Sequence, residues 1–181
     1  PLERHFYKHN LKSGKKVQIT KEHGTHGVTP SASGKYFIDS YSSTDVARNV
    51  DIMDANGNFV KRLHEAADPL KDYNIGTIEL GELKAEDGQT LYTRMIKPYN
   101  FDENKKYPVI IYVYGGPHAQ MITDEWTAGA GIYLHYLSQE GFIVFTLDNR
   151  GSADRGEAFE QVIHRQCGQA EMRDQKVGID Y

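Results

Sequence analysis

The sequence predicts an α/β fold preceded by antiparallel β strands, and three observations support this prediction. Short β-rich runs separated by polar turns fill the first third of the chain. Residues 107–114 and 142–148 are continuous apolar, β-branched runs, and residues 127–140 between them carry apolar side chains at helical spacing. Runs broken by turns are typical of antiparallel sheets, whereas apolar runs joined by a helix are typical of a parallel sheet.

Composition places the chain among ordinary globular proteins. Its 181 residues are 39% hydrophobic and 25% charged, with a formal net charge of −4. No stretch approaches the roughly 18 consecutive apolar residues of a membrane-spanning helix. The scattered Lys and Arg side chains on an acidic chain argue against nucleic-acid binding, and the single Cys167 cannot form an internal disulfide. We therefore expect neither nucleic-acid partners nor membrane contact for this segment.

Residues 1–70 predict a series of short strands that cover residues 5–11, 16–20, 36–42, 48–53 and 59–63. The first two are expected to pair as a hairpin around Ser13 and Gly14. A turn rich in Ser, Pro and Gly precedes the third strand, as in the four-stranded blades of a β-propeller. We interpret residues 1–70 as the last strands of a propeller, because one or two blades cannot bury their faces alone.

Residues 71–181 predict a different architecture. Two strands at residues 77–83 and 89–96 flank Asp87 and Gly88, a pair that favours a tight hairpin turn. The two apolar runs are expected to be strands buried on both faces of a parallel sheet, which makes a strand, helix, strand crossover. The apolar face of this helix is predicted to comprise Ile132, Tyr133, Tyr136 and Leu137. A second helix is predicted over residues 157–175, with an interruption at Gly168 and an apolar face of Ala158, Phe159, Val162 and Ile163.

One tyrosine is the candidate for chemistry. Tyr114 ends the first apolar run and is followed by Gly115, Gly116 and Pro117, which let the backbone turn sharply. Ligands of open α/β sheets bind at the carboxyl ends of the strands. A tyrosine hydroxyl there could donate a hydrogen bond to a developing oxyanion. The alternative, favoured by spacing alone, is a strand-end tyrosine that simply packs on a loop.

Three segments carry a resemblance to a known family. Residues 105–117 (KKYPVIIYVYGGP) and 147–152 (LDNRGS) resemble the start of the α/β-hydrolase domain in the prolyl oligopeptidase family. Residues 163–175 (IHRQCGQAEMRDQ) are similar to the family's dipeptidyl peptidase IV branch. The resemblance implies that residues 1–70 are the C-terminal part of a β-propeller and residues 71–181 the N-terminal part of the peptidase domain.

The activity implied by the resemblance is that of a serine exopeptidase, which releases N-terminal X-Pro dipeptides through an acyl-enzyme and needs no cofactor or metal. It also implies that the Tyr114 hydroxyl is half of the oxyanion hole. The nucleophile of such enzymes lies in a Gly-x-Ser-x-Gly elbow, followed by the acid and the histidine. That pattern is absent from residues 1–181. We therefore expect a fragment that lacks the Ser/Asp/His triad, as well as the family's paired propeller glutamates, and is inactive by itself.

Other residues carry weaker hypotheses. The family pattern implies a structural role for Arg150 through charge-assisted hydrogen bonds, whereas Ala153, Asp154 and Arg155 depart from it and put a substrate-contact role for their loop in doubt. Histidines at positions 5, 9, 23 and 26 could hold a metal, but strand spacing disfavours this. Cys167, beside Arg165, is reactive or, more simply, passive. The competing function is a non-enzymatic, β-rich binding module in which Tyr114 only packs.

Expected partners and location follow from the same interpretation. The resemblance implies a peptide substrate and an extracytoplasmic location, periplasmic or at the cell surface. A sheet that stops before the elbow strand would leave the strand of Val144 or its neighbour as an apolar edge, and such edges recruit other chains. We therefore expect either self-association, as a homodimer or in a looser form, or a partly disordered terminus.

Overall fold

The computed structural model describes residues 1–181 and divides into two compact units. The first unit comprises Pro1–Lys71 and Thr123–Gly129, and the second comprises Asp72–Ile122 and Ala130–Tyr181. None of the helices combines the length and apolar character needed to cross a membrane.

The first unit is antiparallel β structure. Strands β1 (Tyr7–His9) and β2 (Lys16–Gln18) form the predicted hairpin. A four-stranded sheet follows, with neighbours in chain order: β3 (Thr25–Pro30), β4 (Tyr36–Ser43), β5 (Val46–Asp54) and β6 (Phe59–Glu65). Alternate side chains of β4, among them Phe37, Asp39 and Tyr41, are buried. Strand β3 was not predicted, because its glycine and proline resemble turn residues.

The second unit contains a mixed sheet with helices. Its strands are β7 (Thr77–Lys84), β8 (Thr90–Lys97), β9 (Val109–Ile111) and β10 (Ile143–Asp148), in the order β7-β8-β10-β9. Strands β7 and β8 pair antiparallel as predicted, and β9 pairs parallel to β10. Helix α1 (Ile132–Gln139) connects β9 to β10, which confirms the crossover.

Strand β10 is central and is buried on both faces, as its apolar sequence predicts. Phe145 and Leu147 belong to one hydrophobic cluster, together with Leu91 and Phe159, while Val144 belongs to another. The second predicted helix divides, as expected from Gly168, into α2 (Glu157–Glu160), a 3₁₀ turn (Gln161–Ile163) and α3 (Ala170–Asp180).

The prediction that residues 107–114 form a doubly buried strand is wrong. Regular pairing is confined to β9, and six of these eight residues are exposed: Pro108, Val109, Ile111, Tyr112, Val113 and Tyr114. Strand β9 lies at the edge of the sheet, so it pairs with β10 on one side only. Its apolar composition resembles that of β10, and composition alone does not distinguish an edge strand from a central one.

The predicted face of the first helix is also wrong. Helix α1 begins at Ile132 rather than near residue 127, because Thr127 and Ala128 adopt left-handed backbone in a 3₁₀ turn, Trp126–Gly129. Ile132, Tyr133 and Tyr136 are exposed, and the buried face carries Leu134, His135 and Ser138. Neither ring nitrogen of His135 has a hydrogen-bond partner, and burial, together with the charge of Arg94, lowers the pKa of His135. The ring is therefore neutral at pH 7.

Candidate active site

Tyr114 lies on an exposed turn three residues after β9. Gly115 has a φ of 72°, a left-handed conformation that glycine adopts without strain. A Cβ atom on Gly116 would lie 3.1 Å from Cε1 and 3.3 Å from Cζ of the Tyr114 ring. The ring therefore folds back over Gly116, and 56% of the tyrosine surface remains exposed. The two glycines let the backbone turn and give the ring its position.

The far end of this turn is fixed by a buried carboxylate. Asp148, at the end of β10, accepts hydrogen bonds from the backbone N–H groups of Met121 (2.9 Å) and Ile122 (3.1 Å). The Arg94 guanidinium donates to the Met121 carbonyl at 2.8 Å and to the Thr146 hydroxyl at 3.1 Å. Residues 121 and 122 are thus bound to two central strands of the sheet.

These two charges are almost completely buried. Burial raises the pKa of Asp148 to about 6, although the N–H donors and the nearby positive charge of Arg94 act in the opposite direction. Burial likewise lowers the pKa of Arg94, which the negative charge of Asp148 partly offsets. Because water does not solvate these buried side chains, the opposite charge of each one stabilises the other.

The loop after β10 is held by a second charge cluster. Asp174 of α3 accepts hydrogen bonds from Arg150 at the backbone N–H (2.8 Å), Nε (3.0 Å) and Nη2 (2.7 Å). Nη1 of Arg150 pairs with Asp87 in the β7-β8 turn. The Gln175 amide donates to the Leu147 carbonyl and to Asn149 Oδ1. The predicted structural role of Arg150 is confirmed.

The residues that depart from the family pattern also have internal contacts. The Arg155 guanidinium lies 4.3 Å from the ring centre of Tyr92 and 4.4 Å from that of Phe159, and it donates to the Thr90 carbonyl at 2.9 Å. The Arg155 side chain therefore packs against two aromatic rings inside the second unit. Asp154 has a left-handed φ of 62°.

The remaining candidates are spread over the two units. In the first unit, His5 and His23 both contact Glu3, and His26 pairs with Asp39. His9 lies on the exposed hairpin strand β1. Residues 1–181 contain no group of three or more His, Cys, Asp or Glu side chains arranged to hold a metal ion. In the second unit, Cys167 is an exposed free thiol that lies 3.5 Å from the Ile163 carbonyl.

Sequence reasoning missed the charge pairs that hold residues 121 and 122 and the loop after β10. Sequence patterns did not select Arg94 or Asp174, and they indicated Asp87 only as a turn residue and Asp148 only as part of a strand-end loop. One local signal was available for Arg94, because an arginine within a β-branched and apolar strand is rarely left without a buried partner. The partner itself lies 54 positions further along the sequence and is not marked by any motif.

Two family models match the chain. The model of the prolyl oligopeptidase family matches residues 131–181, and the model of the dipeptidyl peptidase IV (DPP IV) N-terminal region matches residues 1–48.

Individual relatives give the same result. Dipeptidyl peptidase 8 of Mus musculus is 30% identical over all of this chain, which covers 21% of that protein. A dipeptidyl peptidase 4 of Aspergillus flavus is 32% identical over 80% of the chain and 19% of its own length. The chain thus spans about a fifth of the length of these relatives.

Two solved bacterial structures have the same fold. A dipeptidyl aminopeptidase IV from Bacteroides ovatus superposes with a TM-score of 0.91 at 42% identity, over 96% of this chain and 25% of that one. Porphyromonas gingivalis dipeptidyl peptidase 4 superposes with a TM-score of 0.88 at 27% identity, over 99% of this chain and 26% of that one. The antiparallel strands are propeller strands, and the mixed sheet is part of an α/β-hydrolase sheet. The chain therefore belongs to the prolyl oligopeptidase family, in its dipeptidyl peptidase IV-like branch.

Proposed function

We propose that the protein containing this chain is a serine-type dipeptidyl peptidase, which releases N-terminal X-Pro dipeptides, and that Tyr114 donates a hydrogen bond to the oxyanion. The observation that carries the second part is the position of Tyr114. Its ring rests on Gly116, on an exposed turn at the carboxyl end of a parallel strand. This edge of an α/β sheet is where substrates bind.

The chemistry requires an oxyanion donor of this kind. Attack of a serine on a peptide carbonyl converts the carbonyl oxygen into an alkoxide, which hydrogen-bond donors at fixed positions stabilise. In α/β-hydrolases a backbone N–H next to the nucleophile supplies one donor, and a group from an earlier strand-end loop supplies another. Tyr114 has the position and the O–H group for the second donor. The triad belongs to sequence outside residues 1–181 in this proposal, and these residues alone are inactive.

The proposal also covers domain division, substrate and location. Residues 1–70 are assigned to the propeller and residues 71–181 to the hydrolase domain. A peptide with a free N-terminus is the substrate, and the location is extracytoplasmic, as the bacterial relatives suggest. Self-association through the exposed edge strand β9 stays a prediction.

The test uses the full-length protein and a Gly-Pro chromogenic substrate. We expect Tyr114→Phe to lower kcat by about 100-fold to 1,000-fold with little change in KM, because an oxyanion donor acts mainly in the transition state. Tyr99→Phe is the matched control, since Tyr99 is 63% exposed and lies outside the turn. Absence of turnover in the wild-type protein would exclude the peptidase activity. Unchanged turnover in Tyr114→Phe would exclude the oxyanion role of Tyr114 but not the peptidase activity.

A further inference from the structure

The turn that carries Tyr114 has a second attachment, which lies at His118. Nδ1 of His118 donates a hydrogen bond of 2.5 Å to Oε1 of Glu160 in α2. A carboxylate can only accept, so the Nδ1 position of this histidine carries the proton. The His118 side chain is 81% exposed and that of Glu160 is 27% exposed, and the hydrogen bond to Glu160 is the side-chain contact of the histidine. His118 thereby ties the turn to a helix 42 residues further along the chain.

The Glu160 side of this pair is well anchored. Phe159, the preceding residue, is buried in the hydrophobic cluster that also contains Leu91 and Phe145. The backbone N–H of Glu160 donates to the Gly156 carbonyl at 3.1 Å. Helix α2 therefore attaches the Glu160 backbone to the core of the second unit.

Backbone strain is concentrated around the same pair. His118, Asp154 and Arg165 each adopt left-handed φ values, of 65°, 62° and 57°. All three line one open cavity of about 720 Å³, together with Pro117 and Glu160. Side-chain-bearing residues rarely adopt this conformation, and such outliers persist where the surrounding contacts enforce them. At His118 the side chain of this outlier is hydrogen-bonded to Glu160.

The pair and the tyrosine are connected through a very short segment. Only Pro117 separates His118 from Gly116, and the Tyr114 ring rests on Gly116. Proline has a fixed φ, which removes one of the torsion angles that could absorb a displacement of His118 before it reaches Gly116. A shift of Gly116 moves the surface on which the Tyr114 ring lies.

We propose that the His118–Glu160 pair is a positioning latch, which holds the Gly116 turn and thereby the Tyr114 hydroxyl at the place where the oxyanion forms. This inference rests on the proposed function of Tyr114. It assigns no contact with substrate to His118 or Glu160. Their assigned role is to set the position of the Tyr114 hydroxyl. The rate depends steeply on that position, because misplacement of a catalytic group by about 1 Å can reduce the rate about 100-fold.

The kinetic test uses His118→Ala and Glu160→Ala in the full-length protein with the Gly-Pro chromogenic substrate. We expect each substitution to lower kcat about tenfold with KM changed less than about threefold. The double variant is expected to be no worse than either single variant, because both remove the same bond. His164→Ala is the control, since His164 lines the same cavity and forms no side-chain pair with Glu160.

A second comparison distinguishes positioning from general damage. In a Tyr114→Phe background, His118→Ala should have no further effect on kcat, because there is no hydroxyl left to position. A further tenfold loss in that background, or wild-type kcat in both single variants, would overturn the latch.

Hydrogen exchange makes the latch testable without activity. We expect amides of residues 113–119 to exchange faster in both single variants, while amides of β10 remain unchanged. If the wild-type protein has no peptidase activity but exchange rises as described, the proposed function fails and the attachment stands. If exchange over residues 113–119 is unchanged, the attachment itself is refuted whatever the activity.

Discussion

Replacement of Asp174 by Asn tests whether the strand-end loop after β10 depends on a buried charge. Asp174 is 1% exposed and accepts hydrogen bonds from three donors of Arg150: the backbone N–H, Nε and Nη2. Asparagine has nearly the same shape, but it brings an NH₂ group towards the guanidinium donors and removes the negative charge. Breaking a buried ion pair by removing one partner typically costs about 3 to 5 kcal/mol. We expect about 3 kcal/mol, the lower end, because Arg150 keeps its contact with the half-exposed Asp87.

Native-state hydrogen exchange of the full-length protein measures this loss locally. A loss of about 3 kcal/mol raises the equilibrium constant for local opening about 150-fold, since about 1.4 kcal/mol corresponds to a factor of ten. We expect amides of residues 147–151 and of α3 to exchange faster by that factor in Asp174→Asn. The control is Lys105→Met, which removes an exposed pair with Asp102 at 3.7 Å and should change exchange no more than a few-fold.

Two outcomes would refute this reasoning. Exchange within about threefold of wild type in Asp174→Asn would mean that the pair contributes no more than a surface pair does. An equal acceleration in the Lys105→Met control would mean that the effect is not specific to burial. Asp174→Glu supplies an intermediate case, because it restores the charge while displacing the carboxylate by one methylene.

Two further predictions concern pH, and pH-dependent hydrogen exchange measures both. The native pKa of Asp148 is about 6 against an ordinary 3.8, so the native state binds a proton that the unfolded state releases between these values. Protection of the segment over residues 119–123 should therefore increase by up to about 3 kcal/mol as the pH falls from about 6 to about 4, and Asp148→Asn should abolish this increase. Burial lowers the pKa of His26, but the hydrogen bonds to Asp39 and to the Glu22 carbonyl outweigh it, and the net pKa is raised above 6.5. Protection of β3 and β4 should be complete below pH 6.5 and fall as the pH rises through the native pKa of His26, whereas His26→Gln should show no such fall.

The local sequence pattern correctly predicted the elements whose burial or turn geometry depends on residues close together in the chain. Residues 142–145 are apolar at consecutive positions because both faces of β10 are covered. Phe145 and Leu147 pack in one cluster with Phe159, and Val144 packs in another with Leu134. The β7-β8 hairpin follows from Gly88, whose φ of 83° a tight turn requires. In both cases neighbours along the chain carry the information.

The two wrong predictions share one physical cause. Residues 109–114 and the face of α1 are apolar, and an apolar sequence indicates that burial is favourable without indicating against what. Strand β9 has a partner on one side only, and α1 turns Leu134, His135 and Ser138 towards the sheet. Tertiary contacts determine the exposure of β9 and the buried face of α1, and they override the local sequence pattern.

In the candidate site, too, local features could be predicted from the sequence and long-range contacts could not. Tyr114 could be selected as a candidate because the proposed role needs a local feature, a strand end followed by glycines that allow a close approach. The groups that fix the loop after β10 are charges paired over long sequence distances, since Asp174 is 24 positions and Asp87 63 positions from Arg150. Buried charges persist only when paired, and a pairing at such a distance leaves no spacing pattern in the sequence. Sequence therefore identifies the candidate oxyanion donor, and the structure identifies the charge pairs that hold the strand-end loop after β10.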